Sequence, residues 1–310
     1  MRLWRRTGMI GLCLQMGLLL MGVCGSAAAI ASSSPEPVAA DVRDVAVDGR
    51  TLRFEIRRGP PDGPVVLLEA GATLDLREWD PVIHALGGRA AATLIAYDRA
   101  GMGHSQPLST SYDIYEEVAR LHRALYRLGL SKRLILVGHS YGGFLTQLYA
   151  NLFPAEVRAL IYVDANTVEG LGGLEAAEAF RTSILDAAKA GKTQFNDLRL
   201  ADGYVATMRT MMRNPVPCGL PVTVITQGAA DAAITDAKLL RWREGHRGLA
   251  RRSGATLLFA AHSGHMIPRD QPEIVADAIL AAIARETAKR PLLSFPPPEA
   301  DCTAKAAADR

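Results

Sequence analysis

Short apolar segments alternate with helical patterns along most of the chain. Eight of these segments are rich in Val, Ile or Leu, as in strands that are buried on both faces of a sheet. They cover residues 42–47, 52–57, 65–68, 93–97, 134–137, 160–163, 222–226 and 255–259. Asp48-Gly49 lies between the first two and predicts a hairpin turn. The alternation predicts an α/β fold with a mostly parallel sheet and right-handed crossovers.

One interval, residues 165–217, is longer than a single crossover helix requires. It contains an alanine-rich helical segment at 175–190, followed by large apolar side chains. These are Phe195, Tyr204, Met208, Met211 and Met212. We predict a helical cap between the sixth and seventh strands, which divides the core into residues 41–164 and 218–289. The Met and aromatic side chains either line an acyl- or alkyl-binding pocket or bury the cap against the core.

The two ends of the chain differ from this core. Residues 1–31 combine three arginines, an uncharged apolar run at 9–23 and the small residues Ala27-Ala28-Ala29. They predict a cleaved secretory signal peptide, and hence an exported protein that is periplasmic or secreted. The apolar run is short for a membrane span, and an uncleaved membrane anchor is the alternative. Residues 290–310 are predicted to form an extended or disordered C-terminal tail.

The net charge of +3 comes from the predicted signal peptide. Residues 1–31 hold three of the 35 basic residues and none of the 32 acidic ones, so the rest of the chain has no net charge. This balance gives no indication of nucleic-acid binding. Cys218 and Cys302 remain after the signal peptide, and an even pair in an exported protein predicts a disulfide bond. Two independent thiols are the alternative.

The strongest chemical signal follows the fifth apolar segment. Gly138-His139-Ser140-Tyr141-Gly142 stands between this predicted strand and a predicted helix. A serine flanked by glycines in this context indicates a nucleophile elbow, a tight turn that exposes the hydroxyl above a helix N-terminus. We therefore predict Ser140 as a nucleophile that attacks a carbonyl group.

A nucleophilic serine requires a base and a group that orients it. His265 follows the last predicted strand and is the candidate base, with His262 as its rival in the same loop. Asp231, after the seventh strand, is the favoured acid, and Asp164, at the end of the sixth, is the alternative.

An oxyanion would need two backbone donors. The N–H of Tyr141 is one candidate, because it directly follows the nucleophile. The second is expected from the loop 69–72, after the third strand, and we favour the N–H of Ala72.

With these residues in place, the chain resembles the α/β-hydrolases of the single-domain, capped type from about residue 48 to 285. The run Tyr97 to Ser105 (YDRAGMGHS) is similar to that family's Y-D-x-x-G-x-G-x-S loop. The resemblance implies an eight-stranded sheet flanked by helices. Family members often carry His-Gly in the oxyanion loop, whereas this chain has Ala70-Gly71 preceded by Glu69, which we expect to brace the loop differently or to form local hydrogen bonds.

The expected function is hydrolysis of a carboxylic ester, or a related small acyl substrate, through a Ser-His-Asp triad. Ser140 stands where epoxide hydrolases and haloalkane dehalogenases of this fold carry aspartate, which favours acyl transfer over alkyl transfer. A peptidase, lactonase, C–C hydrolase or perhydrolase could use the same triad, and a non-catalytic ligand-binding protein is the alternative of another class. The sequence has neither an H-E-x-x-H motif nor a Walker loop, and we predict no metal or organic cofactor.

Overall fold

The structure is a computed structural model, which describes residues 38–107, 111–192, 195–228 and 236–288. The described residues form one eight-stranded sheet in the order β1-β2-β4-β3-β5-β6-β7-β8. Its strands are β1 (Asp41–Val47), β2 (Arg50–Arg57), β3 (Val65–Glu69), β4 (Thr93–Tyr97), β5 (Leu134–His139), β6 (Val157–Val163), β7 (Val222–Gln227) and β8 (Thr256–Ala260). β2 pairs antiparallel with β1 and with β4, and the other pairings are parallel. The predicted mostly parallel, eight-stranded sheet is confirmed.

Helices pack on both faces of this sheet. Those of the described residues are α1 (Asp80–Leu86), α2 (Ile114–Leu128), α3 (Gly142–Leu152), α4 (Val168–Leu171), α5 (Gly173–Lys189), α6 (Phe195–Arg213), α7 (Asp236–Ser253), α8 (Ile267–Asp270) and α9 (Pro272–Ala288). The central strand β5 shows why both faces are covered. Leu134 and Leu136 join the core cluster that includes α2 and α3, whereas Ile135 and Val137 join the opposite cluster with α1 and α9. Side chains alternate across a strand, so an uninterrupted apolar run buries both faces.

The first turn of the sheet follows from its sequence. Asp48 and Gly49 both have positive φ, 52° and 71°, as a two-residue hairpin turn of the primed type requires. The predicted hairpin is therefore present, and it aligns β1 with β2 along their whole length.

The helices α4 to α6, called the cap helices here, occupy the interval between β6 and β7. Tyr204, Met208 and Met211 are buried in the same core cluster as residues of α3, whereas Met212 is 57% exposed. These buried side chains therefore pack the cap helices against the core, which is one of the two roles that the sequence left open. The exact domain boundaries stay predictions.

The parallel strands place all their carboxyl ends at one edge of the sheet. The loops that follow β3, β5, β6 and β8 therefore emerge together, and they contain the predicted site residues that the structure describes. In open parallel sheets this edge is the usual location of a ligand site.

Several predictions concern residues outside this description. The predicted signal peptide 1–31 and tail 290–310 both lie there. Cys218 is disulfide-bonded, but Cys302 is also outside the described residues, so their pairing stays a prediction. Within the described ranges, none of the helices combines the length and apolar character that a membrane span requires.

Candidate active site

Ser140 occupies a tight turn between β5 and α3. Its φ is 51°, in the left-handed region that residues with a Cβ adopt only at an energetic cost. A Cβ at position 138 would lie 2.7 Å from Gly142 O, and one at position 142 would lie 2.7 Å from Ala70 O. Both positions therefore need glycine, since a side chain at 138 would clash with α3 and one at 142 would clash with the backbone at the end of β3. The predicted elbow geometry is present.

A chain of hydrogen bonds runs from this serine into the protein. His265 Nε2 lies 3.0 Å from Ser140 Oγ, and His265 Nδ1 lies 2.7 Å from Asp164 Oδ2. The carboxylate can only accept, so Nδ1 carries the proton and Nε2 is free to accept from the serine hydroxyl. Asp164 is fully buried, whereas the His265 side chain is 28% exposed. The arrangement has the nucleophile–base–orienter form of an activated serine.

Further donors hold the Asp164 carboxylate as an anion. The backbone N–H of Gln227 donates to Oδ1 and its side-chain amide donates to Oδ2, both at 2.9 Å. Burial opposes ionisation, but the hydrogen bonds from His265 and from the Gln227 N–H outweigh it and hold the pKa of Asp164 below its usual value. The buried side chain is thus a suitable orienting group.

Among the described residues, the acid in contact with His265 is Asp164, and the favoured choice of Asp231 stays a prediction. Asp231 lies outside the described residues, and Asp164, the alternative, holds the position on Nδ1. Asp164 follows β6, the strand next to β5, and its φ of 40° turns the chain sharply at the strand end. The other rival, His262, is exposed, and its backbone N–H donates to the Gln271 side chain at 2.6 Å.

The loop after β3 is held from one side by Arg99. This guanidinium donates to the Ala70 and Ala72 carbonyls at 2.6 Å each, and also to the Gly71 carbonyl. It forms a buried ion pair with Glu69 at 2.7 Å, and Tyr97 donates its hydroxyl to the same carboxylate. Burial raises the pKa of Glu69, and Arg99 partly offsets that effect. Glu69 therefore forms local hydrogen bonds, as expected from its place before Ala70-Gly71.

These contacts leave the two expected donors available. Among the described residues, neither the N–H of Ala72 nor that of Tyr141 has a hydrogen-bond acceptor. Tyr141 directly precedes α3, whose N-terminal N–H groups and dipole favour negative charge. The two N–H groups therefore stay the candidate oxyanion donors, while the carbonyls of the Ala72 loop are occupied by Arg99.

The cap helices contribute polar groups above α3. The Tyr141 hydroxyl donates to that of Tyr112 at 2.8 Å and lies 3.3 Å from Thr207 Oγ1. The Asn166 side-chain amide donates to the Tyr204 hydroxyl at 3.3 Å. These buried hydroxyls form a polar cluster on the cap side of the elbow. Within the described ranges, no group of His, Cys, Asp and Glu could hold a metal ion.

The hydrogen-bonded chain of Ser140, His265 and Asp164 is called the relay here. Several residues around it were not predicted from the sequence, among them Gln227, His246, Glu78 and His139. His246 on α7 is fully buried, with Nδ1 2.8 Å from Thr226 Oγ1 and Nε2 2.7 Å from Ala165 O. The carbonyl fixes a proton on Nε2, and Nδ1 of the neutral ring can accept from the threonine hydroxyl. Burial lowers its pKa, more than Asp164 raises it. His139 lies inside the elbow motif, but no local sequence pattern indicated that Glu78 contacts it.

The chain is similar in sequence to known proteins. The model of the alpha/beta hydrolase family matches residues 65–278. A 2-(acetamidomethylene)succinate hydrolase from Mesorhizobium japonicum is 31% identical over 147 residues, 46% of this chain and 48% of that protein. A putative carbamate hydrolase RutD from Variovorax paradoxus is 34% identical over 137 residues, 44% of this chain and 50% of that protein. The matched regions thus span about half the length of these curated relatives.

Solved structures share the fold over a longer stretch. A thermophilic esterase from Thermogutta terrifontis superposes with a TM-score of 0.57 and 20% identity, covering 80% of this chain and 99% of the esterase. At this level of identity the similarity concerns the fold alone.

The neutral, buried His246 predicts a pH-dependent stability. Because its folded-state pKa lies below the unfolded value of about 6.5, the unfolded chain binds a proton that the folded protein does not. The free energy of unfolding is therefore retained above about pH 6.5. It decreases below this pH, by up to about 1.4 kcal/mol per pH unit for one proton. We expect His246→Gln to show a shallower decrease than wild type between pH 6.5 and 5, measured by urea unfolding. His84→Gln, at an exposed position of α1, is the matched control. Identical slopes in wild type and His246→Gln would contradict the prediction.

Proposed function

Because the chain belongs to the alpha/beta hydrolase family, we propose that it is a serine hydrolase that cleaves a carboxylic ester through an acyl-enzyme intermediate. The proposal rests on one observation, the hydrogen-bonded chain from Ser140 through His265 to the buried Asp164. The names of the hydrolase relatives support hydrolysis in general, and the ester is our choice of substrate class.

In the first half of the reaction, the Ser140 hydroxyl attacks the acyl carbon and its proton moves to His265 Nε2. The carbonyl oxygen becomes an oxyanion, to which the N–H groups of Ala72 and Tyr141 donate. Asp164 stabilises the imidazolium that forms and keeps the imidazole in the required tautomer. When the carbonyl re-forms, the bond to the leaving alcohol breaks and His265 returns the proton to the alkoxide oxygen.

The second half repeats these steps with water. His265 Nε2 takes a proton from a water molecule whose oxygen attacks the acyl carbon of the serine ester. The second oxyanion collapses, the bond to Ser140 Oγ breaks, and His265 protonates that oxygen. The carboxylic acid is released and the free hydroxyl is restored.

An amide or carbamate is the second candidate substrate class. It is favoured by the names of the two relatives, one a putative carbamate hydrolase and the other a hydrolase of an acetamidomethylene compound. The same relay would serve, but His265 would protonate a departing nitrogen instead of an alkoxide. Matched ester, amide and carbamate substrates with one acyl group would rank the classes by kcat/KM.

Export is a separate proposal that rests on residues 1–31 alone. N-terminal sequencing of the protein recovered from outside the cytoplasm tests it. A start between residues 30 and 32 supports cleavage, whereas an intact N-terminus in the membrane fraction supports the anchor.

We expect a fluorophosphonate to label wild-type protein on Ser140, located by peptide mass spectrometry. Ser140→Ala should lose the adduct and lower the rate of activated-ester hydrolysis by on the order of 10⁴ or more. Ser131→Ala is the control, because Ser131 is also buried but lies just before the start of β5, at the end of the strand away from Ser140. Turnover that survives in folded Ser140→Ala would exclude this serine and favour a ligand-binding role or another nucleophile.

The choice of acid can be tested by two matched substitutions. Asp164→Asn should lower kcat by roughly 10⁴, because an amide donates to Nδ1 and stabilises the wrong imidazole tautomer. Asp231→Asn should leave kcat unchanged. The opposite result, with the large loss in Asp231→Asn, would return the orienting role to Asp231. Circular dichroism of both variants controls for folding.

A further inference from the structure

Two buried ionisable side chains behind the relay have no part in the reaction described above. Glu78 lies in the 3₁₀ turn Leu76–Trp79, shortly after the Ala72 loop, and His139 directly precedes Ser140. Their side chains are 2% and 1% exposed, and Glu78 Oε1 lies 2.5 Å from His139 Nδ1. The N–H bond does not point along this line, so the contact is electrostatic and not a directed hydrogen bond.

The atoms of Glu78 and His139 that face away from each other contact the loops on the two sides of Ser140. Glu78 Oε2 accepts the backbone N–H of Gly71 at 2.8 Å, next to the Ala72 donor. His139 Nε2 lies 2.9 Å from the backbone carbonyl of His265, and the two imidazole rings are 4.8 Å apart. A Cβ at position 71 would lie 3.2 Å from His139 Nδ1, so glycine there permits the close approach. The pair thus links the oxyanion loop to the loop of the base.

The partners also determine where the protons are. A carbonyl only accepts, so His139 Nε2 carries a proton, and the Gly71 N–H bound to Glu78 suits a carboxylate. Burial disfavours the imidazolium, but the Glu78 carboxylate outweighs it and raises the pKa of His139. We assign an imidazolium–carboxylate pair. A buried ion pair of this kind depends on further hydrogen bonds at both ends, and it has them.

We propose that Glu78 and His139 act together as positioning residues, which keep the Ala72 N–H and the His265 imidazole in a fixed relative position around Ser140. This inference rests on the proposed serine-hydrolase function. Gly71 is held through its N–H by Glu78 and through its carbonyl by Arg99, so the next N–H has a defined direction. On the opposite side, His139 holds the backbone of the base. A purely structural ion pair would stabilise the fold without affecting the reaction rate per folded molecule.

The test compares Glu78→Gln with wild type after active-site titration by a fluorophosphonate. Glutamine keeps the shape and can accept from Gly71 N–H, but it removes the charge that holds the imidazolium. We expect kcat per titrated site to fall about tenfold to a hundredfold, because misplacing catalytic groups by about 1 Å has effects of this size. KM should stay within about threefold, since substrate binding is retained. The control is Glu286→Gln, which removes an ion-paired carboxylate on α9, bonded to Arg133 and Arg158, near the other end of the strands.

A second variant covers the case in which Glu78→Gln does not fold. His139→Gln can still donate to the His265 carbonyl but lacks the positive charge, and the same loss of kcat is expected. If the pair acts as a unit, the double variant should be no worse than the more impaired single variant. Losses that multiply in the double variant would overturn the joint role.

The outcomes separate this inference from the function on which it rests. Ser140-dependent turnover together with wild-type kcat per titrated site in the Glu78 or His139 variant overturns only the positioning role, even if the variant melts at a lower temperature. Wild-type protein without Ser140-dependent turnover overturns both. A selective loss of kcat in the variants, with Glu286→Gln unchanged, supports both.

Discussion

The left-handed backbone of Ser140 is the constraint on which the active site depends. A serine with φ of 51° is strained by roughly 1–3 kcal/mol, and the surrounding structure must hold it there. Three backbone hydrogen bonds do so, from Ser140 N to Val163 O at 3.2 Å, from Gly143 N to Ser140 O at 3.1 Å and from Asn166 N to Ser140 O at 2.8 Å. Two of these join the elbow to the end of β6, the strand that also delivers Asp164. The strain is therefore maintained by the same contacts that align the acid.

The loop after β3 is held by charge instead of by strain. Arg99 occupies its carbonyls, and Glu78 accepts the Gly71 N–H. Each charged group has a buried partner, Glu69 for Arg99 and His139 for Glu78. Buried ion pairs contribute to a defined geometry only when hydrogen bonds satisfy their remaining atoms, and both pairs meet that condition. This is how a loop that begins Glu69-Ala70-Gly71, without the family's usual His-Gly, can present a single orientation of its N–H groups.

The cap helices show how packing chemistry and ligand chemistry can be confused in a sequence. Met208, Met211 and Tyr204 suit either an acyl pocket or a helix–core contact, and in the structure they are buried in the core cluster that includes residues of α3. The polar cluster of Tyr112, Tyr141 and Thr207 beside them was not evident from local patterns. Because its members come from three distant parts of the chain, only the folded arrangement shows that their hydroxyls meet.

Features that depend on local spacing could be predicted from the sequence. Uninterrupted apolar runs predict strands buried on both faces, the glycines around Ser140 predict a turn that a side chain would prevent, and Asp48-Gly49 predicts the primed hairpin. His265 was also predictable, because it follows the last strand at the edge where the elbow emerges. Which acid contacts His265 depends on the fold, and among the described residues it is Asp164. Asp164 and Asp231 both follow strands that end at that edge, and the choice depends on the neighbouring position of β6 and the sharp turn at Asp164. The link from Glu78 to His139 joins residues far apart in the chain, and no periodicity encodes it. Contacts of this kind arise from strand order and loop direction, which a one-dimensional pattern does not contain.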